Sequence, residues 1–139
     1  MRKRIDAHRA ERPATWDTLE SPRDLAADIQ QTLVDDQYSA VVIDCITLWV
    51  SNIVCSLPDE HDVEAELTNR VSQLMKVRSD YHPDQHWIVV SNEVGLGIVP
   101  DTSLGRRYRD ALGRVNQLIA AAADTVTLMV AGIAVDVKK

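Results

Sequence analysis

From Val90 to Gln117 the chain reads VSNEVGLGIVPDTSLGRRYRDALGRVNQ, a short apolar run, a glycine-bearing polar loop and an Arg-rich helical segment in immediate succession. The apolar run, Trp87–Val90, is too short for an independent helix, and its β-branched residues suit a pleated, buried surface. The segment from about Ser103 to Ala123 places Leu104, Tyr108, Leu112, Val115, Ile119 and Ala122 at helical spacing. Strand, loop and helix in that order build a site at a strand's C-terminal edge. In open α/β sheets, that edge is where ligands bind.

The same logic extends upstream. Ser39–Cys45, SAVVIDC, predicts a second strand, buried on both faces, with Asp44 at its C-terminal end. Between the two strands, a Leu/Trp/Val segment and a polar loop around Pro58 precede Val63, Leu67, Val71, Leu74 and Met75, which again recur at helical spacing. Tyr81–Gln85 reads as a loop. Ser21-Pro22 predicts a helix start with Ser21 as the cap, followed by an apolar stripe of Leu25, Ile29, Leu33 and Val34. Arg2–Arg12 can be helical up to Pro13, and Val126–Ala131 with Ile133–Val137 predicts a closing hairpin around Gly132. The fold class is α/β: an open, mostly parallel sheet with helices on both faces, in a single domain spanning 1–139.

Composition narrows the function classes. A net charge of −6 and a pI near 5.1 argue against general nucleic-acid binding, which needs a basic surface to displace counterions. No apolar run approaches the roughly 20 residues that a membrane-spanning helix requires. Cys45 and Cys55 lie in apolar stretches and read as reduced, buried thiols of a cytoplasmic protein.

Several residues have chemical potential. Asp44, ending a buried strand, is placed as acidic residues that hold Mg²⁺ beside nucleotide phosphates are placed; the plain alternative is a cap on the next segment. His8 sits among Arg4, Arg9 and Arg12, where a neutral imidazole could attack phosphorus and neighbouring cations would neutralise a departing pyrophosphate. Its alternative is an incidental histidine on a charged helix end. His61, His82 and His86 read as loop residues without metal-ligand spacing. Gly95 and Gly97 permit close backbone approach to a ligand, and Glu93 could orient a hydroxyl or a metal-bound water or bond local amides. The arginines from Arg106 to Arg114 either clamp phosphates or form a solvated helix face.

Taken together, RIDAHRAERPATWDTLESP, VVIDCITLWVSN and VSNEVGLGIVPDTSLGRRYRDALGRVNQLIAAAADTVTLMVAGI resemble the bifunctional adenosylcobinamide kinase and adenosylcobinamide-phosphate guanylyltransferase family of cobalamin biosynthesis. The resemblance runs along essentially the whole chain. It implies a RecA-like P-loop fold assembled as a homo-trimer, phosphorylation of adenosylcobinamide, and transfer of GMP from GTP to adenosylcobinamide-phosphate through a histidine-GMP intermediate. The matching histidine is His8. Arg9, Ala10, Glu11 and Arg12, with Glu20 and Asp44, match positions that contact guanine nucleotide, and the implied cofactors are GTP, or ATP for the kinase step, with Mg²⁺. No GxxxxGK[ST] loop occurs in the sequence. By the same resemblance, Met1 matches an internal methionine and about 35 to 40 residues carrying that loop are missing, slightly more than one βαβ unit. A chain without the loop is expected to be impaired, and the alternative to an enzyme is a non-catalytic guanine-nucleotide-binding or oligomer-assembly module.

Overall fold

The computed structural model describes residues 12–33, 38–81 and 84–139. Within them the order is α1 (Leu25–Thr32), β1 (Ala40–Asp44), α2 (Ile46–Val54), α3 (Val63–Tyr81), β2 (His86–Val90), α4 (Ser103–Ala122), β3 (Val126–Val130) and β4 (Ile133–Lys138). Strands β1 and β2 pair in parallel, with Val42 opposite Ile88 and Asp44 opposite Val90. Strands β3 and β4 form a separate antiparallel hairpin. The class is therefore α/β, as the alternation of strand and helix implied. A single, mostly parallel sheet is not what forms among the described residues: the parallel part is the β1–β2 pair alone.

The core lies on one side of that pair. Leu25 and Ile29 of α1, Trp49, Val50 and Ile53 of α2, Leu67, Val71 and Leu74 of α3 and Leu112 and Val115 of α4 are buried together, and Val41, Trp87 and Val89 pack against them. The Leu/Trp/Val segment is thus a helix. Its buried residues Ile46, Trp49, Val50, Ile53 and Val54 follow the i, i+3, i+4, i+7, i+8 pattern of one helical face.

Other expectations fail for identifiable reasons. The two parallel strands are not buried on both faces: Val42, Ile88 and Val90 are between 41% and 55% exposed, because the described helices cover only the opposite face. β-Branched runs predict strands whether one face is covered or two. Helix α1 starts at Leu25, not after Ser21, because tertiary hydrogen bonds use the preceding carbonyls. Trp49 Nε1 and Arg70 Nη1 donate to the Arg23 carbonyl at 2.9 and 3.1 Å, and Asn52 Nδ2 donates to that of Pro22 at 3.1 Å. The Ser21 hydroxyl is buried and makes no hydrogen bond among the described residues. Finally, Cys45 is half-buried and Cys55 exposed, although both are free thiols; Cys55 follows the last turn of α2, where the helix leaves the core.

The remaining loops and ends are set locally. Thr102 caps α4, its hydroxyl accepting from the Gly105 amide at 3.1 Å. Glycine is required there, since a Cβ at position 105 would lie 2.7 Å from Pro100 Cβ. At the other end, Lys138 Nζ of β4 donates to the carbonyls of Ala120 and Ala121 at 3.1 and 3.0 Å, a cation placed on the negative end of the helix dipole. The hairpin turns through Ala131 and Gly132, both at positive φ, the conformation a two-residue turn of this hand demands. His86 opens β2 rather than lying in the preceding loop.

Candidate functional site

The parallel pair delivers its strand ends to one edge. Asp44, exposed, terminates β1, and the Asp44–Cys45 peptide, which is cis, leads into α2. β2 ends beside it at Val90 and continues into Ser91, Asn92 and Glu93. Side chains from α2 and α4 fasten this continuation. Thr47 Oγ1 accepts from the Asn92 amide at 3.0 Å, while Asn116 Nδ2 donates to the Asn92 carbonyl at 3.0 Å. Asn116 Oδ1 accepts from the Ser91 hydroxyl at 2.7 Å. Both backbone groups of Asn92 are thereby held, which fixes where Glu93 emerges. Glu93 Oε1 accepts from the Gly95 amide at 2.6 Å, so its carboxylate orders the loop that follows.

Sequence reasoning missed Thr47, Ser91 and Asn116. Their signal is weak, because a Ser-Asn pair after a strand and an Asn within a helix are common polar residues until the fold makes them neighbours. Tyr108 of α4 completes the group, its hydroxyl directed to the Thr47 carbonyl at 3.4 Å. Burial, and then the nearby Cys45, pushes the Tyr108 phenol above its ordinary pKa.

The arginine cluster resolves into separate tethers. Arg106 donates to the carbonyls of Pro100 and Asp101, and Arg107 to those of Pro58 and His61 and to the Asp59 carboxylate. Arg109 pairs with Asp110 at 3.1 Å and Arg114 with Glu64 at 3.5 Å. These guanidinium groups pin loops and neighbouring helices. Of the two readings open from sequence, the common phosphate clamp is the one this arrangement disfavours.

A second feature lies at the start of the described chain, where Arg12, Pro13, Ala14, Trp16, Thr18 and Glu20 line an open cleft of about 570 Å³. Arg12 Nη1 donates to Thr18 Oγ1 across it at 3.0 Å. Tyr38 donates to the Asp17 carboxylate at 2.6 Å, and that hydrogen bond is the main reason its phenol titrates above the ordinary range. Thus Arg12 and Glu20, two of the residues marked by resemblance, share a cleft, and Asp44 stands on the strand edge. His8, Arg9, Ala10 and Glu11 lie outside the described residues, as does the expected helix before Pro13.

Mg²⁺ is commonly held by one or two carboxylates together with substrate phosphates and water, not by an all-protein cage. Asp44 offers an exposed carboxylate on the strand edge, of the kind that mode uses.

Comparison with known proteins decides the family. The model of cobinamide kinase / cobinamide phosphate guanyltransferase matches residues 1–137. The chain belongs to this family. It is 40% identical over 145 residues to the bifunctional adenosylcobalamin biosynthesis protein CobU of Salmonella typhimurium, covering 99% of this chain and 78% of that protein. It is 39% identical over 139 residues to the bifunctional adenosylcobalamin biosynthesis protein CobP of Pseudomonas aeruginosa, covering 99% and 75%. The Escherichia coli CobU protein is 37% identical over 145 residues. Family membership thus rests on matches along nearly the whole chain, as the three sequence segments implied. No helix among the described residues is long and apolar enough to cross a membrane.

Proposed function

We propose that this protein acts in adenosylcobalamin biosynthesis as an adenosylcobinamide kinase and adenosylcobinamide-phosphate guanylyltransferase of the P-loop class. The observation that carries the reading is the family match over residues 1–137, which includes His8 and the segments ending in Asp44 and Glu93. In the guanylyl transfer, a neutral His8 nitrogen attacks the α-phosphorus of GTP. A P–N bond forms, the bond to the bridging oxygen breaks, and pyrophosphate leaves. A phosphate oxygen of adenosylcobinamide-phosphate then attacks the same phosphorus; the P–N bond breaks, histidine recovers its electron pair, and adenosylcobinamide-GDP is released. Arg9, Ala10, Glu11, Arg12 and Glu20 hold the guanine nucleotide, with Arg9 and Arg12 offsetting charge on the phosphates. Mg²⁺, when bound near Asp44, would neutralise phosphate charge.

Kinase turnover needs backbone amides, a lysine and a hydroxyl around the transferred phosphates, the parts a GxxxxGK[ST] loop supplies. The present sequence contains no such loop, so the kinase half of this proposal rests on the family match alone. The homo-trimer and the cytoplasmic location suggested by the resemblance belong to the same proposal; sedimentation tests the first.

Incubation with α-³²P-GTP and Mg²⁺ tests the transfer. Acid-labile, alkali-stable label on the wild type that disappears in His8→Ala is the expected result for an enzyme. Reversible GTP binding that survives His8→Ala, with no label on the wild type, would instead establish a non-catalytic guanine-nucleotide module.

A further inference from the structure

We infer that the loop 94–101 is the seat of the corrin ring of the cobinamide substrate; this rests on the function proposed above and gives the acceptor, as distinct from the nucleotide, a place on the molecule. Leu96 and Ile98 are 84% and 97% exposed, the highest values among the large apolar side chains of the described residues, and Val99 follows at 60%. Single exposed apolar residues are ordinary. Three within four positions form a patch of the kind that marks an interaction site.

The loop is tied at both ends. At its entry the Gly95 amide donates to Glu93 Oε1 at 2.6 Å, and the Gly97 amide donates to the Val94 carbonyl at 3.4 Å, closing a turn. A Cβ at position 95 would lie 2.7 Å from Glu93 Oε1, so glycine suits that contact. At its exit Arg106 Nη1 donates to the carbonyls of Pro100 and Asp101 at 3.0 and 2.8 Å, and Thr102 caps α4. Leu96, Ile98 and Val99 are therefore presented on an ordered backbone before ligand arrives, which reduces the ordering cost of binding.

Place and chemistry select the occupant. The loop leaves the C-terminal end of β2, where Val90 pairs with Asp44, so an acceptor seated on it lies at the edge where open α/β sheets bind ligands. Val42 and Ile88, also exposed, stand within the paired strands instead. A corrin is a broad, methyl-bearing macrocycle ringed by amide arms, larger than the drug-sized ligands that enclosed pockets take. It needs an open apolar surface with backbone polar groups in reach, which Leu96, Ile98 and Val99 with Gly95 and Gly97 supply. Charge agrees with this. In adenosylcobinamide the cobalt(III) centre, less the charges of the corrin and its adenosyl ligand, leaves one net positive charge. Glu93 and Asp101 bracket the loop with no Lys, Arg or His between them, and the next cation, Arg106, faces two carbonyls. An apolar seat with a negative rim suits a large apolar monocation and repels a nucleotide polyphosphate.

The test is equilibrium dialysis of the 139-residue chain against adenosylcobinamide in the dark, read by the visible absorbance of the corrinoid, with sedimentation velocity and α-³²P-GTP labelling in parallel. Because both side chains are exposed, Leu96→Ser and Ile98→Ser should keep the melting temperature within about 2 °C of wild type. Each should weaken corrinoid binding by about 5- to 100-fold, the range for withdrawing one apolar side chain from contact. Ile98→Leu, which keeps the apolar area, should retain affinity within about threefold. Wild-type affinity in both serine variants would overturn the inference, as would variants that only dissociate a dimer of this chain at unchanged corrinoid affinity. A wild type that takes label from GTP but binds no corrinoid would overturn it while leaving the nucleotide reading intact. A wild type that takes neither would overturn both.

Discussion

Asn116 sets the position of the strand edge, and its replacement gives a demanding test. Its two hydrogen bonds, 2.7 Å from Ser91 and 3.0 Å to the Asn92 carbonyl, are exposed, so each contributes toward the lower part of the roughly 0.5–1.5 kcal/mol range. Asn116→Ala should therefore destabilise by about 1–2 kcal/mol, or roughly 3–10 °C in melting temperature for a chain of this size. Asn116→Asp is nearly isosteric and keeps the acceptor for Ser91, yet it places a carboxylate oxygen where the amide nitrogen now faces a carbonyl oxygen. That contact is repulsive, and it raises the new carboxyl's folded pKa above its unfolded value of about 3.9. A group with a raised folded pKa contributes stability that is present below the unfolded pKa and lost as pH rises through the folded one. Asn116→Asp should accordingly be at least as destabilised as Asn116→Ala at pH 7, and should recover toward wild type below about pH 4. Urea denaturation of both variants across this range measures it, with hydrogen exchange at the Asn92 amide as a local report. An Asn116→Asp protein matching wild-type stability at pH 7 would refute the clamp.

Three further outcomes follow from the packing. Leu112 is fully buried, and Leu112→Ala should cost about 2–5 kcal/mol in urea denaturation, whereas Leu96→Ala, at an 84% exposed site, should change stability by less than about 0.5 kcal/mol. Arg107→Lys should destabilise by about 1–2 kcal/mol, because one ammonium cannot reproduce the guanidinium fork that reaches Pro58, His61 and Asp59; a wild-type melting curve would refute the tether. Tyr108 has a folded pKa above 10.0, so the stability it contributes is intact below pH 10 and declines as pH rises through the folded value. Tyr108→Phe should therefore show a flatter stability profile above pH 10, as chemical denaturation between pH 8 and 11 would reveal.

Much of this molecule is determined by sequence alone. Periodicity fixes the apolar faces of α3 and α4, since a 3.6-residue repeat leaves little choice about which side is buried; Leu67, Val71, Leu74, Leu112 and Val115 lie in the core as that repeat requires. Ala131-Gly132 between two β-branched runs likewise specifies the hairpin. The family was also legible, because three long segments in fixed order exclude coincidence in a way that one acidic strand end or one glycine loop does not.

Tertiary structure decided what depends on partners distant in the chain. Ser21-Pro22 has the local chemistry of a helix start, but Trp49, Asn52 and Arg70 use the nearby carbonyls and the helix begins later. The arginines of α4 were ambiguous because local sequence does not reveal that Pro58, His61 or Glu64 lies within reach. Exposure of one strand face was equally hidden, since Val42 and Ile88 read the same whether or not a helix covers them. The segment from Val90 to Gln117 gathers both kinds of information. Its order declares a strand edge, but the grip of Thr47 and Asn116 on Asn92 exists only once residues 45 and 24 positions away have been folded against it.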